Sequence, residues 1–254
     1  MEEFLFFVLV GFIAQLSDGA LGMGFGVISS SMLLAQGTPP ALVSATVNAA
    51  KIPNGSVAAF SHHLNGNIDW RLARKLAIFG AIGGVVGALL LSNLKGRFLH
   101  LMIGIYLVLI GALIIRRALR GITPRKLKGR ALNLVGGAGG LIEGIGGSWG
   151  PIVAPALLGG GVLPRKAIGS SAFGEFIVSI AVVCVLTATF FGGLWGDKSD
   201  IAGAVAPIAG LIVGGIPAAF IGGYLARRVP KKPLSVAIGI LAFSIGVQRL
   251  VIAF

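Results

Sequence analysis

Charge is scarce in this 254-residue chain, where 11% of residues are Asp, Glu, Lys or Arg and 56% are hydrophobic. Soluble domains carry about 25% charged residues, so a fold bathed in water is excluded and lipid becomes the main solvent. A mean hydropathy of +0.95 agrees. The single cysteine, Cys184, excludes an intrachain disulfide. Acids are rarer than bases, 8 against 21, which leaves a net charge of +13. In a soluble protein that imbalance would suggest nucleic acid. Here no polar stretch is long enough to fold a reader, and the bases cluster between apolar runs, where they act as topology signals. No nucleic-acid partner is expected. Walker-loop and EF-hand patterns are missing too, and no cofactor or metal is expected. The first residues, MEEFLFFVLV, lack the basic n-region of a cleavable signal peptide, so the first apolar run is expected to stay.

What the chain does have is apolar runs, at about 4–36, 40–64, 72–94, 97–115, 131–160, 163–192, 200–225 and 232–254. Six have ordinary spanning length. The other two, 4–36 and 131–160, are longer, and each carries a glycine cluster beside an acid. They are copies of each other. An offset of 125 lays Leu16 on Leu141, Asp18 on Glu143, Gly19 on Gly144 and Gly22 on Gly147, and carries Pro39 to Pro164 and Thr46 to Ser171. Further along, the offset drifts to 131, where Asp69 meets Asp200, and then to 135, where Gly104 meets Gly239. The chain reads as a duplicated unit, with a first transmembrane repeat over 1–120, a basic cytoplasmic linker over 121–130 and a second repeat over 131–254. The linker belongs to the basic stretch from Arg116 to Arg130.

Charge decides how the halves are related. If all eight runs cross once, the bases divide almost evenly between the two faces. If the two glycine-broken runs enter and return on one side, one face collects Arg71, Arg74, Lys75, the linker bases, Arg165, Lys166, Arg227, Arg228, Lys231 and Lys232. The other keeps Lys95, Arg97 and Lys198. The positive-inside rule selects the second arrangement. The predicted fold is an all-α integral membrane protein of two inverted-topology repeats, each a glycine-broken re-entrant hairpin plus three transmembrane helices, with both termini outside. Irregular backbone at membrane depth is tolerated only inside protein or beside a water-filled cavity, so the hairpins are expected to line the substrate path.

Pro40 and Pro164 open the helices that follow the hairpins. Just inside come Ser44, Thr46 and Asn48 in one half and Ser170 and Ser171 in the other. Their hydroxyls and the helix starts suit an anion, although serine and threonine within a helix also bond their own carbonyls or tie helices together. Lys51 and Glu175 each lie eleven residues past those prolines, about 16 Å into a core about 30 Å thick, counted from opposite faces. Both reach the midplane, as functional charges or as a structural ion pair. Glu175 reads either as the partner that holds Lys51 when the site is empty or as a proton carrier. Asp18 and Glu143, at the glycine breaks, read either as caps of re-entrant half-helices or as proton carriers. Gly147 is expected to permit the turn and, with Ser148, to line the substrate site.

Other motifs carry less. The GGSWG of Gly146 to Gly150 matches G-x-S-x-G around Ser148, but that motif needs a strand running into a helix. His62 and His63 end a helix near the basic face. The rows Gly80/Gly84, Gly83/Gly87 and Gly210/Gly214 fit close helix packing or a homodimer seam.

The paired glycine-rich segments, each followed by proline and a small-hydroxyl helix, resemble the TauE/SafE sulfite exporter family of the toluene-sulfonate uptake permease superfamily. The resemblance covers about residues 8–252. The first motif, GALGMGFG, has Ala, Met and Phe where many relatives have more glycine. The resemblance implies transport, as export, of sulfite or another small sulfur-containing anion across a prokaryotic inner membrane, with membrane lipid as surroundings. An anion channel or uniporter, which would not need Glu143 or Glu175, and an intramembrane hydrolase using Ser148 are the alternatives.

Overall fold

In the computed structural model of the chain, the described residues form a bundle of ten α-helices. These are residues 1–94, 96–121, 129–195, 201–225 and 231–253, and no strand occurs among them. The helices are α1 (Glu2–Leu21), α2 (Phe25–Ala35), α3 (Pro40–Leu64), α4 (Trp70–Asn93), α5 (Gly96–Arg120), α6 (Gly129–Gly146), α7 (Gly150–Gly159), α8 (Pro164–Phe191), α9 (Ile201–Leu225) and α10 (Lys231–Ala253). Each long apolar run is split into two helices, around Gly22–Gly24 and Gly147–Trp149. The remaining runs each form one helix. Arg116, Arg117 and Arg120 belong to α5, so the inter-repeat connection starts later than the basic stretch does. Lys95, linker residues 122–128, Lys198, Asp200, Arg227, Arg228 and Phe254 lie outside the described residues.

Among the described residues, six helices are long and apolar enough to cross a membrane: α1, α4, α5, α8, residues 202–221 of α9, and α10. Helix α3 has comparable length, 25 residues, but Asn48, Lys51, Asn54 and Ser56 fall within it and lower its hydropathy. Polarity is arranged inside out. Leu5, Leu9, Ile78, Ile82, Leu109 and Val251 are exposed, whereas Ser44, Asn48, Lys51 and Glu143 are buried. Such a surface matches hydrocarbon, and buried charge within it marks the working interior.

Close packing follows the glycines. Gly83 lies against Gly137 and Leu141, and Gly87 against Leu141 and Gly144, so α4 and α6 run parallel with their backbones in contact. Gly210 meets Phe4 and Phe7, and Gly214 meets Val8 and Phe12, so α1 and α9 do the same. The glycine rows are therefore used within the chain. Gly104 faces Gly246 and Leu250 while Gly111 faces Gly239 and Phe243, which makes α5 and α10 antiparallel. Helices α3 and α8 are antiparallel too, with Gly55 against Phe176 and Gly169 against Asn67, just past the end of α3. Exchanging the first five helices with the last five leaves these main pairings unchanged.

The two helix breaks meet in the middle of the bundle. Gly150 packs on Gly22 and Met23, and Gly26 on the Gly147 carbonyl. A methyl group on Gly26 would overlap that carbonyl. Gly22 and Gly147 both take left-handed backbone, with φ of 67° and 69°, the region glycine enters without penalty.

Candidate functional site

Lys51 stands where the breaks meet. Helix α3 carries it inward from Pro40, and its side chain is 6% exposed. Its ammonium donates to Glu143 Oε1 at 2.7 Å, to Glu175 Oε1 at 2.6 Å and to the Gly147 carbonyl at 2.7 Å. An ammonium has three N–H donors, and all three are engaged. The cation thus ties α3 to α6, to α8 and to the α6–α7 break.

Glu143 does two jobs at once. While Oε1 takes Lys51, Oε2 accepts the backbone N–H of Trp149 at 2.7 Å, which caps the start of α7 with a negative charge at the positive end of its dipole. Ser179 Oγ adds a donation to Oε1 at 3.4 Å. Glu143 is fully buried. Asp18 holds the corresponding place at the first break, where the Phe25 N–H at the start of α2 bonds its carboxylate. Helix starts do converge on the centre, but they are those of α2 and α7. Those of α3 and α8 lie about 16 Å away, at opposite ends of the bundle.

The small polar residues divide. Ser44 Oγ donates to the Gly144 carbonyl at 2.9 Å, and Asn48 Nδ2 to the Ser44 carbonyl at 2.9 Å and the Glu143 carbonyl at 3.4 Å, so both brace α6 beside the cation. Ser171 Oγ accepts Trp149 Nε1 at 2.9 Å. Ser148 Oγ donates to the Gly146 carbonyl at 3.3 Å and sits between two helices, not at a strand-to-helix turn. Thr46 is buried without a side-chain hydrogen bond. Ser170 is elsewhere, accepting the Asp69 N–H at 2.9 Å and so fastening α8 to the start of α4. Adjacent helical residues point about 100° apart, which is why Ser171 reaches the centre and Ser170 does not.

Several neighbours gave no sign in the sequence. Ser30, in the Ser29–Ser31 run of α2, donates to the Gly146 carbonyl at 2.6 Å. Trp149 fills the space left by Gly80, Gly139 and Gly174. Tyr106 lies over Gly146 with its hydroxyl buried. The offset of 125 pairs Ser29–Ser31 with Ala154–Ala156, so the serine run belongs to the first half alone. A lack of symmetry was the available clue.

A cavity opens beside the cation, lined by Gln15, Asp18, Lys51, Gly55, Glu175 and Phe176 among others. Its lining runs forward along α3 from Lys51 to Ala58 and backward along α8 from Glu175 to Ala172. It therefore points to the end where α3 finishes and α8 begins, the end that carries Arg71, Arg74, Arg165 and Lys166. On the other side of Lys51 the Gly26–Gly147 contact, Val47 and the buried Trp149 ring close the interior. One carboxylate of the cation's pair borders open space, and the other is sealed.

The sulfite exporter TauE/SafE family model matches residues 7–249. The chain belongs to this family. It is 34% identical over 248 residues to the probable membrane transporter protein YtnM of Bacillus subtilis (strain 168), covering 94% of this chain and 80% of that protein. It is 26% identical over 254 residues to a probable membrane transporter protein of Xylella fastidiosa (strain Temecula1 / ATCC 700964), covering 94% of this chain and 90% of that one. No solved structure matches the chain. With its family, its relatives and six apolar helices of spanning length, the protein is a multi-pass membrane transporter.

Proposed function

We propose that this transporter carries sulfite or a related organosulfur anion out of a prokaryotic cell across the inner membrane, by alternating access at Lys51. The observation that carries this reading is a buried lysine where the two helix breaks meet, with all three donors engaged and with its partner Glu175 bordering a cavity. An oxyanion leaving water needs donors and positive charge to replace its hydration, and Lys51 supplies both.

The halves, 1–120 and 131–254, are read as inverted repeats, each a re-entrant hairpin and three spanning helices. Support comes from the antiparallel α3/α8 and α5/α10 pairs and from the meeting of the two breaks at mid-bundle. By the positive-inside rule, the end that bears Arg71, Arg74, Arg165 and Lys166 faces the cytoplasm. The cavity is then open inward and the Gly26–Gly147 contact is an outward seal. A sealed side favours a carrier over a channel.

The test is flux of labelled sulfite, thiosulfate and methanesulfonate in proteoliposomes. At least one anion should cross faster than in protein-free vesicles. Rates no higher than in protein-free vesicles for all three anions would contradict the reading.

A further inference from the structure

We propose, resting on the reading of the chain as an anion carrier, that each anion crosses with one proton and that Glu175 carries this proton. All three donors of Lys51 are engaged, so an anion reaches the cation only by displacing a partner. The Gly147 carbonyl is main chain and does not line the cavity. Glu143 is fully buried and held by the Trp149 N–H at 2.7 Å. Glu175 is the partner that can leave, since its side chain is 15% exposed and lines the cavity.

Leaving with its charge is unfavourable. The ionisable groups that face Glu175 are Lys51 from α3, Asp18 from α1 and Glu143 from α6. Helix α4, packed on α8, has its charged residues Arg71, Arg74 and Lys75 in its first turns, and the described residues of α9, packed on α3, include no Asp, Glu, Lys or Arg. A displaced Glu175 carboxylate would meet the incoming anion and two more carboxylates around a single cation. In a medium of low polarity that repulsion is large, and one proton on Glu175 removes it.

The exchange balances. A proton from the aqueous side of the cavity forms an O–H bond on the Glu175 carboxylate, the Lys51–Glu175 contact opens, and the anion accepts the freed Lys51 N–H. When the anion leaves on the far side, Glu175 releases its proton there and returns to Lys51. The empty site crosses back with its cation paired. A sulfonate moves as a neutral pair and sulfite with one negative charge, which an inside-negative potential drives outward.

The experiment uses the full chain in proteoliposomes that contain pyranine, with the potential held at zero by valinomycin and equal potassium. Labelled sulfite is one probe and methanesulfonate, which cannot bring a proton of its own, is the other. With methanesulfonate, wild type should acidify the lumen by one proton per anion, whereas sulfite, a weak base, keeps part of its proton and should acidify the lumen less. In wild type, anion flux should fall as the pH on the loading side is raised, because the anion and the proton enter together. Glu175→Gln, an amide that imitates the protonated acid but no longer neutralises Lys51, should change the rate of anion flux, abolish the proton movement that accompanies it, and leave the remaining flux varying less than about twofold between pH 6 and 8. Anion flux in wild type with no change in lumenal pH overturns the coupling while leaving the carrier reading in place. Proton movement that survives in Glu175→Gln overturns the role of Glu175. Absence of any anion flux in wild type overturns the carrier reading, and the coupling with it.

Discussion

Lys51 Nζ and Glu175 Oε1 lie 2.6 Å apart on helices that pass each other antiparallel, each residue eleven positions beyond the proline that opens its helix. The pair joins the two halves at their common depth. Because Lys51 also holds Glu143 at 2.7 Å, a single cation secures three helices.

Removing that cation leaves two carboxylates facing each other in the interior. Breaking a buried pair costs about 3–5 kcal/mol, so Lys51→Met should lower the thermal midpoint of detergent-purified protein at pH 7.5 by several degrees. A midpoint equal to wild type at pH 7.5 would mean that the pair is not formed.

Gly26 and Gly147 make the tightest contact of the two breaks. Gly26→Ala should abolish transport, because its methyl group would overlap the Gly147 carbonyl and push the breaks apart. Gly147→Leu adds strain in left-handed backbone as well, and a side chain there meets Val47. Both variants should still appear in the membrane fraction. Normal anion flux in either would show that the breaks are not a moving seal.

Trp149 fills space that three glycines leave open. Trp149→Ala should cost about 3–5 kcal/mol of stability as a cavity-forming change, and Trp149→Phe less, with about 1 kcal/mol of its cost from the lost Ser171 bond. Thermal unfolding of both variants checks the order. If Phe proves as damaging as Ala, the ring's indole bond matters more than its volume.

Topology can be measured independently. In a Cys184→Ser background, a cysteine at Glu2 or at Phe254 should react with an impermeant maleimide added outside cells, and one at Arg125 only after lysis. Arg125 and Phe254 labelling from the same side would contradict the inverted arrangement.

Much of the helix plan was legible in the sequence, because a lipid solvent demands long apolar runs and penalises every exception. The run at 40–64 is α3 residue for residue, and the two acid-and-glycine clusters mark where the long runs divide. Lys51 and Glu175 stood out as charges at midspan, and counting from Pro40 and Pro164 set them at one depth. Their contact with Glu143 was harder to read. Glu143 looked like either a cap or a carrier, while its two oxygens bind the α7 start and the cation together. Ser30, Ser179 and Trp149 were not legible at all, since a serine or an aromatic in an apolar helix looks the same whichever way it faces. Ser170 and Ser171 show the same limit, as only helix rotation separates their surroundings.

The decisive measurement is calorimetric titration of purified protein with sulfite, comparing wild type, Lys51→Ala and Lys51→Arg. A charge-assisted hydrogen bond is worth about 1.5–3 kcal/mol, so Lys51→Ala should bind about 10- to 150-fold more weakly. Lys51→Arg should keep part of the affinity, because the charge remains while its shape changes. If Lys51→Ala binds and transports the anion as wild type does, the anion site lies elsewhere and Lys51 is a structural cation.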